Sequence, residues 1–227
     1  MKDPTVRTMN GAIATDALIA RLAQDAAPVR PAAIGARFAL ALVLALPLTT
    51  ILMAAVPGFG LRPDLSAVLS GSPDLPKHLF TLAMLAAAWF ACTRLARPGA
   101  SLRGVSGAVG LPVAAMLALA VAALVTAAPQ ARAALLLGET WTSCAASIAL
   151  LSLPAFAGAI VAMRGLAPTR LGLAGAAAGL FAGAAGAAVF ALHCTEAAAP
   201  FVAVWYLLGM AVPTAAGALA GPRLLRW

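Results

Sequence analysis

Six long apolar runs take up most of this 227-residue chain and limit the folds that it can adopt. They cover residues 37–56, 78–96, 104–128, 142–163, 171–193 and 199–220. Each run is rich in Ala, Leu, Val and Gly, and about 20 helical residues suffice to cross the apolar core of a bilayer. Backbone groups in that core must find hydrogen-bond partners within the protein, which favours helices. The sequence therefore predicts an all-α, polytopic integral membrane protein with six transmembrane helices.

The basic residues alternate from one connecting segment to the next. Most of them lie in the N-terminal tail, the second and fourth loops and the C-terminus: Lys2, Arg7, Arg21, Arg30, Arg37, Arg94, Arg97, Arg103, Arg164, Arg170, Arg223 and Arg226. The first, third and fifth loops together hold only Arg62, Lys77 and Arg132. Because cytoplasmic loops collect Lys and Arg, both termini are predicted to be cytoplasmic. Residues 1–36 then form a cytoplasmic tail, and residues 37–227 form the transmembrane domain.

The composition excludes several classes of protein. A chain that is 63% hydrophobic and 10% charged is too apolar for a soluble domain. The net charge of +8 is spread over short loops, so it fits membrane topology and anionic headgroups better than direct nucleic-acid binding. No Asp, Glu, Lys or Arg falls inside the predicted spans away from their ends, which argues against a pump, channel or ion-coupled transporter. No catalytic motif is present, so neither an enzyme nor a cofactor is predicted.

The tail contains one amphipathic segment, at about residues 15–27. Its apolar stripe consists of Leu18, Ile19 and Leu22, and its polar side carries Arg21 and Asp25. A helix this short is marginal alone in water, so it is expected to lie against another surface. The membrane, the protein's own loops and the groove of a partner are the alternatives.

The last two spans carry glycines at helical spacing. The glycines are Gly175, Gly179 and Gly183 in the fifth span and Gly217 and Gly221 in the sixth. Residues four apart share one helical face, and glycines there let a neighbouring helix approach closely. Packing within the bundle is the favoured interpretation, and a homodimer through these faces is the alternative.

Cysteines and histidines provide the remaining candidates for a functional site. Cys92 lies near the cytoplasmic end of the second span and is expected to be a buried apolar residue. Cys144 begins the fourth span and Cys194 ends the fifth, so both are expected at the periplasmic surface, where a disulfide can form and persist. His78 and His193 fall on the same side and could complete a metal site around the thiolates. These residues alone leave a disulfide, a metal site and simple packing all open.

Several segments, taken in order, resemble a known family. They are LIARLA at 18–23 and PVR at 28–30, LRPDL at 61–65, Cys144 leading into Leu153 and Pro154, APTR at 167–170, ALHC at 191–194 and FVAVWY at 201–206. Their order and spacing resemble the NrsF family, six-span bacterial membrane proteins named as negative regulators of sigma factor F. The resemblance extends over most of the chain.

The resemblance implies an anti-sigma factor in the bacterial inner membrane. Members of this family hold an extracytoplasmic-function sigma factor inactive and free it under heavy-metal or oxidant stress. The paired cysteines of the family would fall on Cys144 and Cys194 here, with His193 beside them. The amphipathic tail then becomes the expected sigma-contacting element, and the basic loops at 94–103 and 164–170 could add a second contact.

Two functions of other classes also fit the sequence. A small carrier or exporter of apolar solutes needs no ionisable groups in its spans and would not depend on residues 1–36. A structural protein that assembles another membrane complex would use the glycine faces of the fifth and sixth spans.

Overall fold

The computed structural model describes residues 15–24, 31–56 and 74–226, and every regular element in them is helical. The predicted all-α fold is therefore confirmed for this part of the chain. The chain divides into two units, Met1–Ala33 and Ile34–Trp227. Residues 15–24 form α1 of the first unit. Asp25 and the segments at 28–30 and 61–65 lie outside the described residues.

The remaining helices of the described chain follow in sequence order. They are α2 (Pro31–Ala55), α3 (Leu75–Leu95), α4 (Val105–Thr126), α5 (Arg132–Leu137), α6 (Trp141–Leu151), α7 (Leu153–Arg164), α8 (Leu171–Phe190), α9 (Ala199–Phe201) and α10 (Leu207–Leu224). A 3₁₀ turn at Pro129–Ala131 precedes α5, and a π-helical segment at Val202–Tyr206 joins α9 to α10.

Six helical stretches of the described chain are long and apolar enough to cross a membrane. They are Ala33–Ala55, Leu75–Leu95, Val105–Thr126, Pro129–Arg164, Leu171–Phe190 and Ala199–Leu224. The six predicted runs correspond to these stretches one for one, which confirms the six-span architecture. The second stretch begins earlier than predicted and already contains Lys77. The orientation of the termini stays a prediction.

The fourth span is built from more than one helix. It starts with the 3₁₀ turn and α5, turns at Gly138, and continues as α6 and α7. The boundary between α6 and α7 falls at Ser152, and Pro154 follows in the first turn of α7. A proline is tolerated there because the first N–H groups of a helix have no partner within it. The predicted run at 142–163 thus corresponds to α6 and α7 alone.

Helix α8 lies at the centre of the bundle. It contacts α3, α6, α7 and α10, and 78% of its apolar stretch is buried, against 11% for α4. Small residues permit this, because a helix without side-chain bulk can lie directly against its neighbours. The glycines at which an added Cβ would come too close to a neighbouring helix include Gly175, Gly179, Gly183, Gly217 and Gly221. Within one protein, the glycine faces of the fifth and sixth spans pack against each other.

Two large apolar clusters fill the bundle. The first contains Cys144, Cys194 and Tyr206, and the second contains Cys92 and Phe181. Cys92 is fully buried, as an apolar packing residue would be. The three cysteines are therefore divided between two separate clusters.

Candidate functional site

Cys144 and Cys194 come together at one end of the bundle, although they are far apart in sequence. Cys144 lies in the first turn of α6, and Cys194 lies in the segment that follows α8. They are 0% and 3% exposed and belong to one apolar cluster. No disulfide joins cysteines within the described residues. We call this region, formed by the start of α3 with residues 138–144 and 191–198, the cysteine end.

A buried lysine holds the segment that carries Cys194. Lys77 lies in the first turn of α3 and is 1% exposed. Its Nζ donates hydrogen bonds to Asp74 Oδ1 at 2.7 Å, to the Cys194 carbonyl oxygen at 2.8 Å and to the Glu196 carbonyl oxygen at 2.9 Å. The assignment of Lys77 to a connecting loop is therefore wrong. Its charge can be buried because a carboxylate and two carbonyl groups replace the water that it loses.

Glu196 ties the same segment to the turn that precedes α6. Its carboxylate accepts a 2.8 Å hydrogen bond from the backbone N–H of Glu139. Next to it, Gly138 has φ +56°, and a Cβ there would lie 2.7 Å from the Glu196 carboxylate. A glycine is therefore required at this turn, because the backbone has a positive φ and because there is no room for a Cβ. The segments bearing the two cysteines are joined through Glu196.

Two tryptophans lie next to each other at the cysteine end, beside this turn. Trp205 Nε1 donates a 2.9 Å hydrogen bond to the Leu136 carbonyl oxygen, and the Trp141 and Trp205 rings lie 5.4 Å apart. Tyr206, the next residue, is fully buried and belongs to the same apolar cluster as both cysteines. Of the three aromatic side chains, only Tyr206 is fully buried, and Trp141 is 41% exposed.

Cys194 also lines a small polar cavity. The cavity has a volume of about 150 Å³ and is lined by Thr140, Ser143, Ser147, Phe190, His193, Cys194 and Thr195. Cys144 is not among the lining residues. A water molecule takes up about 30 Å³ of liquid, so a metal ion or a small oxidant fits. Cys194 is therefore the thiol that we expect a small reagent to reach first.

The predicted metal ligands do not form a metal centre in the structure. Among the described residues, no group of three or more His, Cys, Asp and Glu side chains could hold an ion. His193 contributes to the cavity, and its ring lies 5.8 Å from that of Phe190, whereas His78 lies in α3 beside Lys77. A metal bound by the thiols would need further ligands, and this role stays a prediction.

The opposite end of the bundle is basic. The end of α3 and the loop before α8 meet around a cavity of about 160 Å³ that includes Arg94, Arg97 and Arg170. Within residues 74–226, the three carboxylate side chains are Asp74, Glu139 and Glu196, and the contacts above place all three at the cysteine end. The loops at 94–103 and 164–170, which were predicted to add a second sigma contact, thus meet at the end of the bundle that holds none of these three carboxylates. We call this surface the basic end.

The predicted sigma-binding helix is α1. Its described residues, 15–24, are all exposed. Leu18 and Ile19 are each 57% exposed and Leu22 is 62% exposed. Arg21 lies on the same helix, and Asp25 follows it outside the described residues. The contact that this apolar stripe makes stays a prediction.

Together, these features define a multi-pass, all-helical membrane protein with a buried cysteine pair at one end. The chain belongs to the NrsF family, whose model, described as "Negative regulator of sigma F", matches residues 22–227. The resemblance found in the sequence is thereby confirmed. This is a family of regulators rather than of enzymes, and neither the carrier nor the assembly hypothesis gains support.

Two relatives cover nearly the whole chain. The "Probable anti-sigma-F factor NrsF" of Azospira oryzae is 45% identical over 213 residues, which span 94% of this chain and 99% of the relative. The "Anti-sigma-F factor NrsF" of Caulobacter vibrioides is 39% identical over 215 residues, again 94% of this chain and 99% of the relative. No solved structure matches this chain.

Proposed function

We propose that this protein is an anti-sigma factor of the bacterial inner membrane. It binds an extracytoplasmic-function sigma factor on the cytoplasmic side and releases it when a heavy metal or an oxidant reacts with Cys144 and Cys194. The observation that carries this proposal is the convergence of these two cysteines in one buried cluster, with Cys194 beside a polar cavity. The names of the two relatives support the sigma factor as the partner.

Helix α1 supplies the main sigma contact. Its exposed stripe of Leu18, Ile19 and Leu22 fits an apolar groove, in the manner of amphipathic helices that bind partner proteins. A helix of about 14 residues is only about 21 Å long, so it covers part of a sigma factor. The basic end supplies the second contact, through Arg94, Arg97 and Arg170, to an acidic surface of the partner.

The signal starts at the thiols. A bridging metal or a disulfide ties the start of α6 to the segment after α8, and it favours release only by the difference in its free energy between the released and the bound conformation. Helix α8 continues from this segment to the loop of the basic end, and its close packing on α10 favours movement of the two helices as a unit. Shifting the sigma factor from mostly bound to mostly released needs about 5 kcal/mol. New synthesis of the sigma factor can supply part of the response.

A pull-down from detergent extracts tests this function. The full chain and a variant lacking residues 1–30, which leaves α2 intact, are each captured through a C-terminal tag, and bound proteins are identified. We expect a sigma factor with the full chain and much less with the truncated variant. If neither captures one, the anti-sigma function is wrong, and substrate flux in vesicles then tests the carrier hypothesis. If the full chain and the truncated variant captured equal amounts of sigma factor, the main contact would be at the basic end instead of α1.

A further inference from the structure

We propose that Lys77 is a positioning residue for the cysteine pair. Its ammonium group holds the segment that follows α8, so that the Cys194 thiol stays buried within reach of Cys144. This inference rests on the proposed function, since it concerns the same two thiols. The inference goes beyond that function because Lys77 and its partner Asp74 do not themselves react with a metal or an oxidant.

The hydrogen bonding of Lys77 is complete and directed. An ammonium group has three donors, and Lys77 uses them on Asp74 Oδ1 and on the carbonyl oxygens of Cys194 and Glu196. Two of the three bonds therefore fix the backbone on either side of Thr195. Because the Lys77 side chain is 0% exposed, a shift of this segment would leave a buried charged donor without a partner, which is strongly unfavourable. The segment is held in one position.

Asp74 orients the ammonium group instead of capping its own helix. It occupies the N-cap position of α3, but its side chain makes no capping hydrogen bond. The carboxylate lies 2.7 Å from Lys77 Nζ, with both side chains almost fully buried. A residue well suited to capping is thus used to pair a buried charge. This pairing aims the remaining two donors of Lys77 at the Cys194 segment.

The same lysine also influences the position of Cys144. Glu196 accepts from Lys77 through its carbonyl oxygen and from the Glu139 N–H through its carboxylate. The Glu139 turn leads directly into α6, whose first turn carries Cys144. Lys77 therefore contacts one cysteine segment directly and reaches the other through Glu196. Removing the Lys77 side chain is therefore expected to let the two thiols move relative to each other.

Thiol kinetics in native membranes test the inference. Lys77→Met keeps the apolar stem but leaves the Asp74 carboxylate buried without its cation, so the double variant Lys77→Met/Asp74→Asn is measured beside it. Arg132→Met is the matched control, because it removes an exposed cation close in sequence to the cysteine end. The labelling rate of each cysteine with N-ethylmaleimide is followed by mass spectrometry. The yield of the Cys144–Cys194 disulfide is measured with diamide, which accepts the two electrons and two protons that the thiols lose.

We expect Cys194 in the double variant to be labelled at least tenfold faster than in the wild type. We expect the diamide disulfide yield to fall at least threefold, because the thiols are no longer aligned. Labelling of Cys92, buried in the other cluster, should stay unchanged, and the Arg132→Met variant should match the wild type. Wild-type Cys194 kinetics in the double variant would overturn the inference. So would a parallel rise at Cys92, since that would show a general loosening of the bundle.

These measurements need no sigma factor. A failed pull-down would overturn the proposed anti-sigma function but would leave the labelling result as it stands. Unchanged thiol kinetics with a successful pull-down would overturn the role of Lys77 alone. The two failures are therefore distinguishable.

Discussion

Gly175 of α8 and Gly217 of α10 lie backbone against backbone: a Cβ on either one would collide with the carbonyl group of the other. This contact belongs to the two spans that carry the regular glycine spacing in the sequence. Helix α8 connects the cysteine end to the basic end, so its contact with α10 fixes the path between the proposed sensor and the proposed partner surface. Glycine spacing is thus used here for packing inside one bundle.

Substituting one of these glycines should destabilise the bundle. Gly175→Ala forces a methyl group against backbone atoms that cannot move aside, and overpacking of this kind costs about 1–3 kcal/mol. Gly110→Ala is the matched control, because nothing lies within 4 Å of an added Cβ there. The control should gain stability by up to about 1 kcal/mol through helix propensity. The thermal midpoint in detergent measures both, and equal midpoints would contradict this account of the α8–α10 contact.

The cysteine pair should be required for the response but not for repression. In the double variant Cys144→Ser/Cys194→Ser, we expect the sigma factor to stay bound under cadmium or diamide, because no bridge can form between α6 and the segment after α8. Cys92→Ser is the control and should respond as the wild type does. A sigma-dependent reporter measures release. A normal response in the double variant would mean that the thiols only pack.

Cys194 should be the cysteine that reagents reach first, and from the periplasmic side. It lines the polar cavity, whereas Cys144 and Cys92 do not. A membrane-impermeant maleimide added to intact spheroplasts should therefore label Cys194 several-fold faster than either of the others. Labelling only in inverted vesicles, whose outer face is cytoplasmic, would reverse the predicted orientation of the termini.

The sequence was sufficient to predict the number of spans, because hydrophobic length is a local property of the chain. It also placed Cys144 and Cys194 on the same side of the membrane. The sequence could not show that the two cysteines lie in one cluster, since that depends on how α6 packs against α8. Lys77 was misassigned because a hydropathy pattern treats a lysine at the end of a span as solvated. The sequence from Asp74 to Lys77 does contain a signal for the buried lysine. Its proline indicates the start of a helix, and a helix brings residues three apart close enough to form an ion pair.

The apolar stripe of α1 should determine sigma binding. Leu18→Asp replaces an exposed apolar side chain with a carboxylate that cannot enter an apolar groove. Loss of one buried Leu contact is worth about 2–3 kcal/mol, or roughly a 30- to 150-fold weaker affinity. Gln24→Asp introduces the same charge away from the stripe and should bind normally. Affinity is measured with purified sigma factor in nanodiscs, and equal losses in both variants would show that charge, rather than the stripe, is responsible.

The basic end should make a smaller, salt-dependent contribution. Arg97 and Arg170 line the same cavity and are exposed, so each contact to an acidic partner surface is expected to contribute only about 0.2–1 kcal/mol. Arg97→Gln should therefore weaken sigma binding by no more than about fivefold. The loss should shrink as salt is raised, because exposed charge pairs are screened within about 10 Å at 0.1 M salt. Arg132→Gln, at an exposed position close in sequence to the cysteine end, is the control and should leave affinity unchanged. If Arg97→Gln had no effect at low salt, α1 would have to carry the sigma contact without the basic end.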